Sequence, residues 1–321
     1  MTSSLHAFPL GSVVITGAGG QLGSELVRLL GSSAVPLSRT DLDLRDPLAI
    51  RDTISRLHPA AVINCAAWTA VDAAEQHADD CFAVNATAVG HLAEACAATG
   101  SRLVQVSTDY VFGHDEQRSR PYLEDDPPAP LSVYGASKLA GEQAARGCPR
   151  HLVVRTCGLY STAANGPVRG RNFLDTMLAL AATRRDVRVV ADQICTPSYV
   201  PHVALGILRL LAAHAQGTFH VTNAGETSWF GLASELFRQA GLPIEVAAIA
   251  SHEYPSPVAR PRYSVLDTSR FAAATGSHLP SWTEGVSDYL QAGGRLAPAT
   301  VATPLGDSRP ELERISCSPS S

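Results

Sequence analysis

The stretch Val13-Val14-Ile15-Thr16, followed by Gly17, Gly19, Gly20 and Gly23, constrains the fold more than any other part of the chain. A short apolar β-branched run reads as a buried strand. Leu22, Leu26, Leu29 and Leu30 then fall at i, i+4, i+7 and i+8, the stripe of an amphipathic helix. Between them lies a turn in which glycines let the backbone bend tightly. Strand, glycine turn and helix in this order place the positive end of a helix where a pyrophosphate can sit. The spacing Gly17-x-x-Gly20-x-x-Gly23 is not the G-x-G-x-x-G fingerprint, and a glycine cluster alone is often only a turn. The bracketing strand and helix turn the reading toward a bound dinucleotide.

The chain then repeats the alternation. Strands are expected over 34–38, 60–64, 103–107 and 151–155, with helices over 72–83, from Asn85, and around Tyr134–Lys138. Strands alternating with helices at this interval predict an α/β fold, a Rossmann-type doubly wound parallel sheet. Residues 113–130 are polar and proline-rich and read as a loop over the sheet's end. After a further loop at 158–170 the alternation lapses. A helix is expected from Asn172, a strand at 187–190, a helix marked by Val203, Ile207, Leu210 and Leu211, a strand at 218–221, a helix at 229–240 and a strand at 244–249. Three prolines keep 254–262 out of a helix. The expected organisation is a nucleotide-binding domain over 12–157, with 187–215 returning to it, and a smaller C-terminal α/β substrate domain over 158–292. Residues 1–11 carry no periodic signal, and 293–321, rich in Pro, Ser, Thr and Ala, are expected to be a disordered tail.

Composition removes several classes. The 321 residues are 45% hydrophobic and 17% charged, with 25 basic and 30 acidic side chains and a net charge of −5. No basic run stands out, which gives nucleic-acid binding no support. No apolar stretch is long enough to span a bilayer, and the N-terminus lacks a charged region followed by an apolar one. Seven cysteines without a C-x-x-C pair read as free thiols in a reducing cytoplasm.

Candidate site residues cluster at strand ends. The second strand ends in Ser38-Arg39-Thr40, where an acid would hold the ribose of NAD and an arginine accommodates the 2′-phosphate of NADP. Arg39 favours NADPH and leaves NADH open. Asp41-Leu42-Asp43-Leu44 suits a segment along the adenine edge. Cys65-Ala66-Ala67-Trp68-Thr69 places small residues past a strand's carboxyl end, where open α/β sheets bind ligands. Thr108 and Asp109 follow another strand, a hydroxyl and a carboxylate placed for chemistry or for a turn. Tyr134 and Lys138 are four apart and share one face of a helix. An ammonium beside a phenol favours the phenolate, so the pair is expected to bring the tyrosine pKa down toward neutrality. Taken alone, the same spacing suits a solvated helix face.

These pieces, in this order, are similar to the extended short-chain dehydrogenase/reductases, and within them to the dTDP-4-dehydrorhamnose reductases. The matching strings are Gly17-Ala-Gly-Gly-Gln-Leu-Gly23, Asn64-Cys-Ala-Ala-Trp-Thr-Ala-Val-Asp72, Ser107-Thr-Asp-Tyr-Val-Phe112, Tyr134-Gly-Ala-Ser-Lys138, Asn172-Phe173, Asp192-Gln193 with Pro197, and Arg260-Pro261. They span roughly residues 12 to 292. The glycine turn and the Tyr/Lys pair are shared by the whole superfamily, whereas the Ser-Thr-Asp-Tyr-Val-Phe string is particular to the reductases.

The resemblance implies NADPH-dependent reduction of the C4 ketone of a dTDP-linked 4-dehydro-6-deoxyhexose. It implies catalytic roles for Thr108, Tyr134 and Lys138, and a pyrophosphate site at Gly17, Gly20, Gln21, Leu22 and Gly23. Asp43 and Leu44 would lie near the adenine, and Ala66, Ala67 and Thr69 along the cofactor's middle. Asp109 and Tyr110 would face the substrate, and Asn172 and Arg260 its nucleotide end.

The chain also departs from the family. Gly158 stands in Arg155-Thr-Cys-Gly-Leu-Tyr160 where members often carry a tryptophan, which leaves Tyr110 or Trp229 to supply a stacking surface. Some members bind magnesium at a dimer interface. Glu25 matches one such position but Pro201 falls where another acid would be, so Glu25 reads as a charged residue on an exposed helix face. No metal is expected, and the assembly is expected to be a monomer or weak homodimer. Two other readings stand beside the reductase: an epimerase or dehydratase that retains NAD, and a non-enzymatic NADP-binding regulatory subunit resembling the β-subunit of methionine adenosyltransferase.

Overall fold

The computed structural model describes residues 11–162, 172–254 and 256–295. Its strands, in chain order, are β1 (Val13–Thr16), β2 (Ala34–Leu37), β3 (Ala61–Asn64), β4 (Arg102–Thr108), β5 (His151–Thr156), β6 (Leu159–Tyr160), β7 (Asp186–Val190), β8 (Ile194–Cys195), β9 (Ser198–Tyr199), β10 (Gly217–His220), β11 (Thr227–Ser228) and β12 (Glu245–Ile249). Its helices are α1 (Gln21–Leu30), α2 (Pro47–Leu57), α3 (Val71–Ala74), α4 (Ala78–Phe82), α5 (Ala88–Thr99), α6 (Val133–Ala145), α7 (Phe173–Ala181), α8 (Val200–Ala212), α9 (Trp229–Ala240), α10 (Ser269–Thr275) and α11 (Trp282–Ala292).

Six strands form one parallel sheet in the order β10-β5-β4-β3-β1-β2. Residues alternate between its faces. Val13 and Ile15 of β1 enter a core with Leu26 of α1 and Ile207 and Leu211 of α8. Val14 enters the opposite core with Ile50 and Ile54 of α2 and Leu92 of α5. A strand covered on both sides has no polar face, and for that reason β1 reads as a continuous apolar run. The order reverses at β1, with β2 on one side and β3 on the other. Such a reversal opens a crevice at the carboxyl ends of the strands, the ligand-binding position of an open α/β sheet.

A second, smaller unit packs β7, α7, α9 and α11 around Leu174, Val187, Val189, Leu236, Phe237 and Leu290. It departs from the expected division at both edges. The 187–215 segment splits. Its strand β7 pairs in parallel with β12 in a two-stranded sheet of the smaller unit, while its helix α8 packs on α1 against the main sheet. The reason is visible in Asp186-Val187-Arg188-Val189, whose side chains alternate between exposed and buried. A main-sheet strand would have to bury both faces. β10, expected in the substrate domain, is the sixth strand of the main sheet. The expectations for 1–10, for most of the 158–170 loop and for 296–321 lie outside the described residues.

Two local differences matter for the site. The helix expected over 72–83 is broken into α3 and α4, and a π-helical turn at Ala83–Thr87 joins α4 to α5. Helix α2 was not foreseen, although its start is written in the sequence: Asp46 accepts hydrogen bonds from the amides of Leu48 and Ala49, both at 3.0 Å, and Pro47 opens the first turn.

Candidate active site

The glycine turn sits in the crevice where the strand order reverses. Gly17 has φ +67°, and a Cβ there would stand 2.6 Å from the Ala66 amide nitrogen, so the turn after β1 and the segment after β3 touch backbone to backbone. At Gly23 a Cβ would meet the Gly17 carbonyl at 2.3 Å, which seats α1 directly on the turn. No side chain caps α1 and its first turn carries no acid. Its leading amides are therefore available to an anion, and the residues present fit a pyrophosphate. Gln21 accepts a hydrogen bond from the Ser161 hydroxyl at 2.9 Å, tying this turn to the segment after β6. The Leu22 side chain lies in the core.

At the end of β2, Asp41 accepts hydrogen bonds from the Ser38 amide and hydroxyl, a closed turn that presents Arg39 at its exposed tip. Asp43 is paired with Arg45, whose hydrogen bonds hold its carboxyl well below the usual carboxylate range. Leu42 and Leu44 face the core beside Val14 and Ile50, so a contact of this segment with an adenine would come from its backbone and from Asp43.

The Tyr/Lys pair has a third member. Tyr134, Lys138 and Glu142 recur at i, i+4 and i+8 on α6, and all three meet β4. The Thr108 hydroxyl, at the end of β4, stands close enough to Tyr134 to favour its phenolate. The Lys138 Nζ donates to the Val106 carbonyl at 2.6 Å. Glu142 accepts from the Ser107 hydroxyl at 2.6 Å and from Arg155 of β5 at 2.8 and 2.7 Å. Two glycines allow the approach. A Cβ at Gly135 would stand 2.2 Å from the Tyr110 carbonyl oxygen, and one at Gly141 would stand 2.0 Å from that of Asn85. The first-turn amides of α6 are satisfied by Ser132, which accepts from Gly135, and by Glu75, which accepts from Val133.

Electrostatics at this pair differ from the expectation. Burial pushes the Tyr134 phenol up, outweighing the nearby Thr108 hydroxyl, which favours the phenolate. Burial pushes Lys138 itself down to about 8, opposed first by Glu142 and then by the thiols of Cys65 and Cys81. Desolvation is the largest influence on both groups. Lys138 is also the only lysine of the chain, every other basic side chain being arginine. That singularity is a sequence signal the spacing argument did not use.

Asp109 is buried, and burial raises its carboxyl despite hydrogen bonds from Ser264 at 2.6 Å, Cys157 at 3.1 Å and Thr108 at 3.2 Å. Tyr110 packs edge-on against Tyr134, ring centroids 5.9 Å apart. Asn85, which sequence reasoning missed, fixes the Ala66–Thr69 segment: its side chain accepts from the Trp68 amide and donates to the Trp68 carbonyl and the Ser137 hydroxyl. It sits in the π-helical turn, an irregularity that no hydrophobic period reveals.

Thr108, Asp109, Tyr110 and Tyr134 open into a cleft of about 200 Å³, closed on the far side by Gly158, Ile194, Cys195 and Trp229. Gly158 has φ +51°, and a Cβ there would lie 3.5 Å from Cη2 of Trp229. Trp229 thus occupies the space beside the missing side chain. It is held by Phe173, ring centroids 4.9 Å apart, and by the β8–β11 pairing that sets Ser228 opposite Ile194. At the cleft's mouth Arg260 donates to Asp72 at 3.0 Å, next to the lining residues Val71 and Pro261. Asn172 is not among the described residues that line the cleft. It caps α7 by accepting from the Asp175 amide and donates to the Ser161 carbonyl.

Glu25 is a correction. Its side chain is fully buried and held by both carboxylate oxygens on Arg28, at 2.9 and 2.6 Å, rather than exposed. Among the described residues no cluster of three or more His, Cys, Asp or Glu side chains could hold a metal, and no helix is long and apolar enough to cross a membrane.

Comparison with known proteins places this geometry. A family model described as the RmlD substrate binding domain matches residues 11–294. The chain is 41% identical over 299 residues to the dTDP-4-dehydrorhamnose reductase of Streptomyces griseus, covering 90% of this chain and 96% of that protein. It is 36% identical over 280 residues to the dTDP-4-keto-6-deoxy-D-glucose reductase of Streptomyces niveus, covering 85% and 94%. The crystal structure of dTDP-4-dehydrorhamnose reductase from Bacillus anthracis in complex with NADP superposes with a TM-score of 0.82 at 36% identity, covering 88% of this chain and 99% of that one.

Proposed function

The chain belongs to the RmlD substrate binding domain family of dTDP-4-dehydrorhamnose reductases, and on that premise we propose that it reduces the C4 ketone of a dTDP-linked 4-dehydro-6-deoxyhexose, dTDP-4-dehydro-L-rhamnose giving dTDP-L-rhamnose, with NADPH. The observation that carries the reading is the Thr108–Tyr134 hydroxyl pair, held by β4 and α6 at the wall of a cleft beside an uncapped helix N-terminus.

NADPH, when bound, supplies the hydride. The first-turn amides of α1 with Gly17, Gly20 and Gly23 hold its pyrophosphate, and Arg39 its 2′-phosphate. Asp43 and Leu44 flank the adenine. Ala66, Ala67 and Thr69 border the middle of the cofactor. Lys138 has two N–H groups left after its bond to Val106, and these would hold the nicotinamide ribose. At the ketone, Tyr134 donates to the oxygen, and Thr108 donates to it as well once its single O–H turns away from Asp109. As negative charge develops there, the oxygen becomes a far stronger base than a phenolate, and Tyr134 passes it a proton. A raised tyrosine pKa suits this order of events, because the phenol starts fully protonated at neutral pH. Asp109, buried and hydrogen-bonded by Thr108 and Ser264, orients the hydroxyl beside it. Tyr110 and Trp229 take the faces of the sugar, and Arg260 the diphosphate.

The same reading makes the enzyme cytoplasmic and monomeric or weakly dimeric. Free cysteines without a disulfide among the described residues support the reducing compartment.

The test is to offer dTDP-4-keto-6-deoxy-L-mannose with NADPH or NADH, follow loss of absorbance from the reduced nicotinamide, and identify the product sugar. Consumption of NADPH with formation of dTDP-L-rhamnose is expected. No nicotinamide oxidation, or purified protein that carries tightly bound NAD and interconverts sugars without net reduction, would overturn the reading.

A further inference from the structure

We propose that Glu142 is a positioning residue of this site, the buried charge that holds Lys138 as an ammonium and Ser107, and with it Thr108, in place. The proposal rests on the reductase reading for what the ammonium and hydroxyl do, but not for their placement.

Three observations carry it. First, Glu142 lies one helical turn beyond Lys138 on the same face of α6, and its side chain is fully buried. Second, each of its acceptors is engaged by a group that matters to the site. One oxygen takes the Ser107 hydroxyl and the Arg155 Nε, and the other takes Arg155 Nη2. Ser107 directly precedes Thr108, so this bond pins the strand end that presents the reacting hydroxyl. Third, Arg155 is itself anchored, to the Glu124 carbonyl at 3.2 Å and to His220 at 3.4 Å, with its guanidinium over the Phe112 ring. The carboxylate therefore cannot swing away from the helix without breaking a network that reaches β10.

Four groups bear on the buried Lys138 ammonium from the protein side. The Val106 carbonyl faces it from β4, Cys65 from the exit of β3, Cys81 from α4, and Glu142 from its own helix. The thiols are pushed up by burial and stay neutral, which leaves Glu142 as the negative charge in this set. Burial drives the ammonium toward deprotonation, to about 8, and Glu142 is the largest influence the other way. Removing that charge lets burial act with less opposition, and the neutral amine gains ground at lower pH. An arginine at position 138 would avoid the problem but could not release its proton or match an ammonium's compact shape.

The experiment uses the full chain grown with lysine labelled with ¹³C at Cε. A single lysine gives a single Cε resonance, so its titration is read without assignment. The wild type should titrate near 8. In Glu142→Gln the midpoint should fall by about 1 pH unit or more. That variant leaves Arg155 buried without its partner, so the double variant Glu142→Gln with Arg155→Met is measured beside it. Removing both charges leaves no uncompensated ion and preserves the packing. It too should titrate below the wild type, with the alkaline limb of kcat/KM moving in step and circular dichroism unchanged. Midpoints of the folded variants within a few tenths of a unit of the wild type would overturn the proposal. A wild-type chain that never reduces the sugar would instead sink the reductase reading and leave this titration standing.

Discussion

The β4–α6 wall of the cleft and the wall opposite it, built from Gly158, β8 and Trp229, hold their side chains by different means. Across the first, polar groups are buried and engaged: Thr108 with Asp109, Val106 with Lys138, Ser107 and Arg155 with Glu142. Such a set is stable at one geometry, because moving any member leaves a buried polar group unpaired at a cost of about 1–3 kcal/mol. The opposite wall rests on two-residue strand pairings and on aromatic surface, Trp229 against Phe173. Apolar contacts are non-directional, so that wall can change shape without leaving such a debt. The contrast teaches which half of the reaction is open to variation. On the proposed reading, proton and hydride chemistry belongs to the rigid wall and the choice of sugar to the adaptable one.

Removing the Tyr134 hydroxyl tests the rigid wall most severely. Tyr134→Phe should lower kcat by a factor on the order of 10² to 10⁴ with little change in KM. Ketone reduction at near wild-type rates would remove Tyr134 from the proton-donating role. Acid attacks the same wall from its far end. His220 stands neutral beside Arg155, and burial, then Arg155, pushes its pKa from 6.5 to about 3. The unfolded chain binds that proton more readily, so the stabilisation is complete above about pH 6.5 and drains away as pH falls toward 3, on the order of 4 kcal/mol in all. Urea titrations at stepped pH should show this slope, and His220→Asn should flatten it.

Space tests the contact between elements. Gly141→Ala puts a methyl against the Asn85 carbonyl and should cost about 1–3 kcal/mol. Gly90→Ala, on the neighbouring helix with 4.0 Å to its nearest atom, should instead gain about 0.5–1 kcal/mol. Thermal unfolding distinguishes them, and equal shifts would mean that α6 is not seated as described. The adaptable wall should respond least and in a different parameter. Trp229→Leu keeps an apolar side chain but loses the ring, and KM for the sugar nucleotide should rise on the order of tenfold while kcat and the inhibition constant of dTDP stay put. A fall in kcat at constant KM would put Trp229 among the rigid elements.

Much of the rigid half was legible in the chain. The apolar run at Val13–Thr16, the glycines after it and the Tyr134–Lys138 spacing are local signals, and locally determined geometry is what spacing reports. The end of β4 was read as a place for Thr108 and Asp109 for the same reason. Other parts were closed to such reading. Asn85 acts from an irregular helical turn, and Asp109's burial depends on Ser264, far along the chain. The polarity of the Tyr134 environment was misjudged because desolvation is a tertiary quantity, absent from any spacing. Glu25 was misread likewise: its burial depends on the packing of α1 against α8. Some signals were present and passed over, among them Asp46-Pro47 at the start of α2, Ser281 with Glu284 at the start of α11, and Glu142 itself at the next turn of a face already singled out.

Lys138's solitude also decides how the protein meets reagents. With arginine at every other basic position, an ester, aldehyde or cross-linker that seeks amines finds one ε-amine in the whole chain, its N-terminal amine aside. That ε-amine is buried behind Val106 and Glu142. Amine chemistry, which on most proteins scatters over many surface lysines, is therefore kept from the side chains of the folded protein, and coupling at the one ε-amine would report that α6 has parted from β4.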